Sequence, residues 1–155
     1  MQLKFRIILN VEEDVLRDIV IDSNITLIEF SKIISGEFGF DSSEISTFHH
    51  SNENWEQLDE IKIFKIDELD QIMDNTPISN FFLSKGDKLI YIYDFLNYWT
   101  FFIELYELEE SVKVDRYKCI NSVGEVPKNP PSDIFDINSV KEDSDELDFD
   151  DTFID

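Results

Sequence analysis

A single cysteine, Cys119, serves all 155 residues, which excludes an internal disulfide and any zinc cage built on several thiolates, and suits a reducing compartment. Basic residues are also scarce: 13 Lys and Arg face 35 Asp and Glu, leaving a formal charge of −22. Proteins that grip DNA or RNA electrostatically neutralise phosphates with Lys and Arg, so this balance argues against direct nucleic-acid binding and against an anionic membrane surface. No stretch approaches the ~20 apolar residues needed to span a bilayer. The start, Met1-Gln2-Leu3-Lys4-Phe5-Arg6, has no long apolar targeting segment either, so a cytoplasmic location is expected. P-loop, Gly-x-Gly-x-x-Gly, Gly-x-Ser-x-Gly and His-Glu-x-x-His motifs are all missing, and no catalytic, cofactor-binding or metal site can be assigned by motif. Alanine is absent altogether. The apolar 42% is made instead of heavy side chains, with 14 Phe, 21 Ile, 5 Tyr and 2 Trp. Few positions then fill a core, and the length allows one folded domain.

Periodicity places the elements. Leu3, Phe5, Ile7 and Leu9 alternate with Lys4 and Arg6, the period of two of a strand with one buried face. Val15 to Asp22, rich in β-branched residues, pairs with it as a hairpin. Thr26-Leu27-Ile28-Glu29 has capping-box spacing, Leu27, Phe30, Ile33, Ile34 and Phe38 recur at helical intervals, and Gly39 is placed to end the helix. Glu44 to Ser51 and Ile61 to Ile66 read as strands, and Pro77 to Leu83 as one or two helical turns. Leu89 to Phe95 and Trp99 to Glu107 read as a second hairpin, apolar on both faces and therefore central in a sheet. The order predicts an α+β domain, a β-grasp-like mixed sheet with one long helix packed across it.

Composition shifts at Pro127-Lys128-Asn129-Pro130-Pro131. Ser132 to Asp155 holds ten acids, one Lys and eight scattered apolar residues, a net −9, so the first 131 residues carry −13. So few apolar groups cannot offset the ordering cost, and a folded domain over 1–131 followed by an acidic, disordered tail over 132–155 is expected.

The motif order resembles the plasmid pRiA4b ORF-3-like family, whose members also occur as insertion-sequence passengers of the TnpR-like kind. Leu3-Lys4-Phe5 and Leu16-Arg17 stand where members carry a Leu-Lys-Ile strand and a Trp-Arg pair; Phe38-Gly39-Phe40 stands for Phe-Gly-Trp; Ile45-Ser46-Thr47-Phe48 matches a Leu-x-x-Phe strand. Tyr91-Ile92-Tyr93-Asp94-Phe95-Leu96-Asn97-Tyr98-Trp99 is similar to Tyr-x-Tyr-Asp-Phe-Gly-Asp-x-Trp. The chain departs at Glu44, where members carry His, at Leu96-Asn97 in place of Gly-Asp, and around Cys119, where the family's Cys- and Gly-rich segment is reduced to Cys119-Ile120-Asn121-Ser122-Val123-Gly124. Four positions carry over: Arg17, Asp94, Trp99 and Cys119. The resemblance implies a fold and a plasmid or mobile-element association rather than a reaction.

Each position has a structural reading beside a functional one. Asp94 either fixes its turn by accepting backbone N–H bonds or is a partly buried site carboxylate; Trp99 is a hairpin anchor or a ligand platform. Arg17 shares the apolar phase of Val15, Ile19 and Ile21, so either it points inward and needs a carboxylate, with Asp94 as the candidate, or a bulge turns it to solvent. His49 and His50 point to opposite faces and read as surface residues. Cys119 reads as a lone structural thiol, since no His lies near it in sequence. The pattern predicts a non-catalytic protein-interaction module without cofactor or metal, its charge favouring basic, DNA-associated partners. The alternative is a small hydrolase or nuclease of a mobile element holding Mg²⁺ on Asp94 and neighbouring acids.

Overall fold

The computed structural model describes residues 1–112 and 115–131. The acidic stretch 132–155, expected to be a tail, lies outside the described residues. Strand β1 (Gln2–Leu9) turns back as β2 (Leu16–Asp22), and helix α1 (Leu27–Glu37) follows. Then come β3 (Ser46–Ser51), β4 (Gln57–Lys62), a single 3₁₀ turn at Ile78–Asn80, β5 (Lys88–Tyr93), β6 (Trp99–Glu109) and β7 (Tyr117–Val123). They make one seven-stranded sheet in the order β4-β3-β5-β6-β1-β2-β7.

A mixed sheet is what the sequence suggests, yet every pairing is antiparallel. A parallel neighbour needs a crossover between adjacent strands. Helix α1 links β2 to β3, which have three strands between them, and every adjacent pair meets by a hairpin or a return from the opposite end. One expected strand is shortened, and one strand was not expected. The strand read over Ile61 to Ile66 stops at Lys62, because the Met73 N–H takes the Lys62 carbonyl (2.8 Å) and the Asp70 carboxylate folds the chain back by accepting the Ile66 and Asp67 N–H groups. Strand β7 carries too little apolar alternation to stand out in sequence; pairing along β2 creates it.

Helix α1 forms where the pattern placed it. The Thr26 hydroxyl accepts the Glu29 N–H (3.3 Å) while the Glu29 carboxylate accepts the Thr26 N–H (3.0 Å), the reciprocal capping box. Phe38 closes it and Gly39 turns out with φ 89°, a region open to glycine at no steric cost. The buried face of α1 sets Phe30 against Phe5 (centroids 5.1 Å apart) and Phe48 (5.8 Å), with Phe82 edge-on to Phe5 (4.6 Å). Leu3, Phe5, Ile7 and Leu9 all face this core, as their alternation demands. Each such side chain contributes about 1.5–3 kcal/mol through burial. The Tyr91 hydroxyl, buried among these rings, donates to the Ser31 carbonyl (3.3 Å), and burial raises its pKa.

The opposite face of the sheet is organised by charge. Asp18, Arg6, Glu104 and Lys88 stand opposite one another in a row across β2, β1, β6 and β5. Arg6 donates twice to Asp18 (2.8 and 2.9 Å), Asn121 extends the row onto β7, and Lys88 lies over the Trp55 ring. Alternating signs in cross-strand register disfavour any slip that would bring like charges together.

Candidate functional site

The four family-motif positions fall into two neighbourhoods joined by the segment Phe38-Gly39-Phe40. The first is the β5–β6 hairpin. Asp94 and Tyr98 both adopt left-handed backbone, φ 65° and 57°, unusual for residues other than glycine. The Asp94 carbonyl accepts the Tyr98 N–H (2.5 Å), one carboxylate oxygen accepts the Leu96 N–H (3.2 Å) and the other accepts the Asn97 side-chain amide (2.6 Å). Asp94 is thus committed to its own turn. Trp99 opposite Tyr93 is buried, with its indole 5.2 Å from the Phe40 ring, and Phe40 also meets Tyr93 at 5.1 Å. The Tyr93 hydroxyl donates to Asp41 (3.1 Å) and accepts the Glu44 N–H (3.3 Å), which ties the loop after α1 to the hairpin.

The second neighbourhood surrounds Arg17. Its side chain points inward, in phase with Ile19 and Ile21, and is 8% exposed. Asp94, the carboxylate expected beside it, is not its partner. Instead Nε donates to the Glu37 carbonyl (3.1 Å) and Nη1 to the carbonyls of Leu16 (2.8 Å) and Val123 (2.9 Å), while the guanidinium lies 4.9 Å from the centre of the Phe38 ring. Backbone dipoles stand in for part of a carboxylate at Nε and Nη1: Glu37 ends α1, where unpaired carbonyls carry partial negative charge. Cation–π contact with Phe38 adds to this. Cys119, across from Ile19 on β7, is half-buried, and its Sγ donates to the Asn121 carbonyl (3.4 Å). Burial and then the nearby Glu37 carboxylate push its thiol pKa up, opposite to what a nucleophilic cysteine needs.

An open cavity of about 450 Å³ lies beside Arg17, bordered by Glu37, Phe38, Phe40, Glu125 and Val126. The sequence left Glu37 and Glu125 unmarked and brought up Phe40 only within the Phe38-Gly39-Phe40 motif. Glu37 carried a weak signal, because an acid in the last turn of a helix opposes the dipole and asks for a cation nearby. His49 and His50 do face opposite sides, the former bonded to the Leu58 carbonyl (3.0 Å), the latter beside Phe81. Among the described residues no group of three or more His, Cys, Asp or Glu is arranged to hold a metal ion, so the carboxylates needed around Asp94 for Mg²⁺ chemistry are not gathered there. No helix among them is long and apolar enough to cross a membrane.

This is an α+β domain whose helix terminus, edge strand and central hairpin meet around one aromatic segment. A crystal structure of a protein of unknown function from Methanosarcina mazei Go1 is similar, with a TM-score of 0.65 at 17% identity, covering 91% of this chain and 83% of that one. At that identity the likeness establishes the fold alone. No curated protein matches the sequence. The chain belongs to the plasmid pRiA4b ORF-3-like protein family, which it matches over residues 1–147.

Proposed function

We propose that this chain is a non-catalytic interaction module of a plasmid or mobile element, acting in the cytoplasm on a basic protein partner. Its opening hairpin and the helix packed across the sheet support a β-grasp-like reading of the fold, with residues 1–131 as the folded unit and 132–155 as an acidic extension. The observation that carries the functional reading is an exposed apolar group with the Glu60 carboxylate beside it. Phe95 (42% exposed), Leu96 (82%) and Tyr98 (36%) crown the strained β5–β6 turn. Tyr98 accepts a hydrogen bond from Gln57 (3.2 Å), which ties the turn to the start of β4, and Glu60 of the same strand lies beside it. A shallow cavity of about 240 Å³ separates Phe95 and Tyr98 from Glu60, with His49 and Ile92 in its wall. Apolar side chains held in a strained turn, with a carboxylate at their edge, are the make-up of a recognition surface with a central anchor and a polar rim.

The test is capture of partners from a lysate of the source cells at low and at high salt, with wild type and a Phe95→Ser/Leu96→Ser variant of unchanged melting temperature. A defined basic protein retained at low salt, released at high salt and lost with the variant is expected. An identical set of captured proteins with wild type and variant overturns the reading.

A further inference from the structure

We propose that the cavity at the carboxyl end of α1 binds a small amino-acid-like zwitterion, with its carboxylate on Arg17. Arg17 is more than nine-tenths buried and borders the cavity, and its hydrogen bonds to the described residues use only Nε and Nη1. Nη2 therefore keeps two donors with no partner among those residues. None of their carboxylates lies within ion-pair distance of this guanidinium either, although every other arginine here has one: Arg6 has Asp18 and Arg116 has Glu29. A buried guanidinium with free donors is the group best shaped to take a carboxylate, through charge-assisted bonds.

A bare anion is a poor occupant. Glu37 and Glu125 border the same cavity, and the whole chain carries −22, so a second negative charge would be repelled at the rim. A ligand that carries its own ammonium group turns those two carboxylates from an obstacle into partners. Phe38, Phe40 and Val126 supply the apolar wall for a side chain in this open cavity of about 450 Å³. The aromatic wall and the two charges of opposite sign together select an apolar α-amino acid over a simple acid or amine. This site is distinct from the hairpin surface and stands whether or not that surface binds a partner.

Leucine serves as the probe, with 4-methylpentanoate and 3-methylbutylamine as analogues lacking one charge each, titrated into the full-length ¹⁵N-labelled protein. Leucine should shift the amides of Arg17, Phe38 to Phe40 and Glu125 to Val126, and each analogue should bind about tenfold or more weakly, as expected for losing one charged contact. Arg17→Lys, which keeps the charge without the fork, should weaken leucine binding, and Glu125→Gln, which leaves the buried cluster untouched, should narrow the gap between leucine and 4-methylpentanoate. Equal binding of leucine and 4-methylpentanoate by wild type overturns the zwitterion assignment. Shifts confined to other residues, or no shifts at millimolar leucine, overturn the site.

Discussion

Trp99 and Phe40 pack ring to ring with centroids 5.2 Å apart, so the residue that starts β6 and the residue that follows the turn out of α1 form one joint. Through Phe38 on the other side of Gly39, that joint reaches Arg17.

Truncating Trp99 to alanine opens a cavity against Phe40 and Tyr93, and a loss of about 3–5 kcal/mol is expected, as for other buried large aromatics. Asp94→Asn should cost under about 1 kcal/mol, since asparagine also tolerates the left-handed backbone and keeps one acceptor for the Leu96 N–H. Denaturant midpoints of the two variants check the ordering. A Trp99→Ala protein that unfolds at the wild-type midpoint would show that the indole is not a packing anchor.

Gly124 has φ 74°, and a Cβ placed there would run into the Asp14 carbonyl oxygen and approach the Val15 Cα to 3.2 Å. Both neighbours are backbone, so neither can rotate away. Gly124→Ala is expected to cost about 2–3 kcal/mol and to disturb Val123, whose carbonyl holds Arg17. Thermal melts and the Arg17 side-chain resonance report the two effects separately.

Acid should weaken one surface lock selectively. Hydrogen bonds from Lys62 and from the Asp67 and Ile66 amides lower the Asp70 carboxyl pKa from 3.8 to about 2. A depressed folded-state pKa means the stabilising effect is present above the ordinary value and is lost as pH falls towards the folded one. The difference in denaturant midpoint between wild type and Asp70→Asn should be constant above about pH 4.5 and shrink between 3.8 and about 2. Comparing the two proteins at each pH cancels the general relief of repulsion as the other acids protonate. A difference that stays constant to pH 2 would contradict the assignment.

Ending the chain at Pro131 should leave the melting temperature within a few degrees of full length, because ten acids and eight scattered apolar residues over 24 positions bury too little to offset an ordering cost of about 1–2 kcal/mol per residue. A large drop in melting temperature on truncation would place part of 132–155 in the folded unit.

What the sequence determined by itself was local. The alternation from Leu3 to Leu9, the Thr26–Glu29 capping box and the spacing from Leu27 to Phe38 each place a side chain relative to its own backbone, and period two or 3.6 reads that directly. The two-faced apolar pattern of β5 and β6 placed them in the middle of the sheet, where β5 is buried on both faces and the outward side chains of β6 are half-buried. Tertiary structure alone decided which strands became neighbours, and with that the antiparallel sheet and the existence of β7, a strand that pairing makes rather than periodicity. The same holds for Arg17. Its inward phase was legible, but its partners were not, because three of its hydrogen bonds go to main-chain carbonyls, which every residue carries and no sequence distinguishes. Only the fold brings the end of α1, the Leu16 carbonyl and the Val123 carbonyl to one point, and that convergence leaves Nη2 without a partner among the described residues.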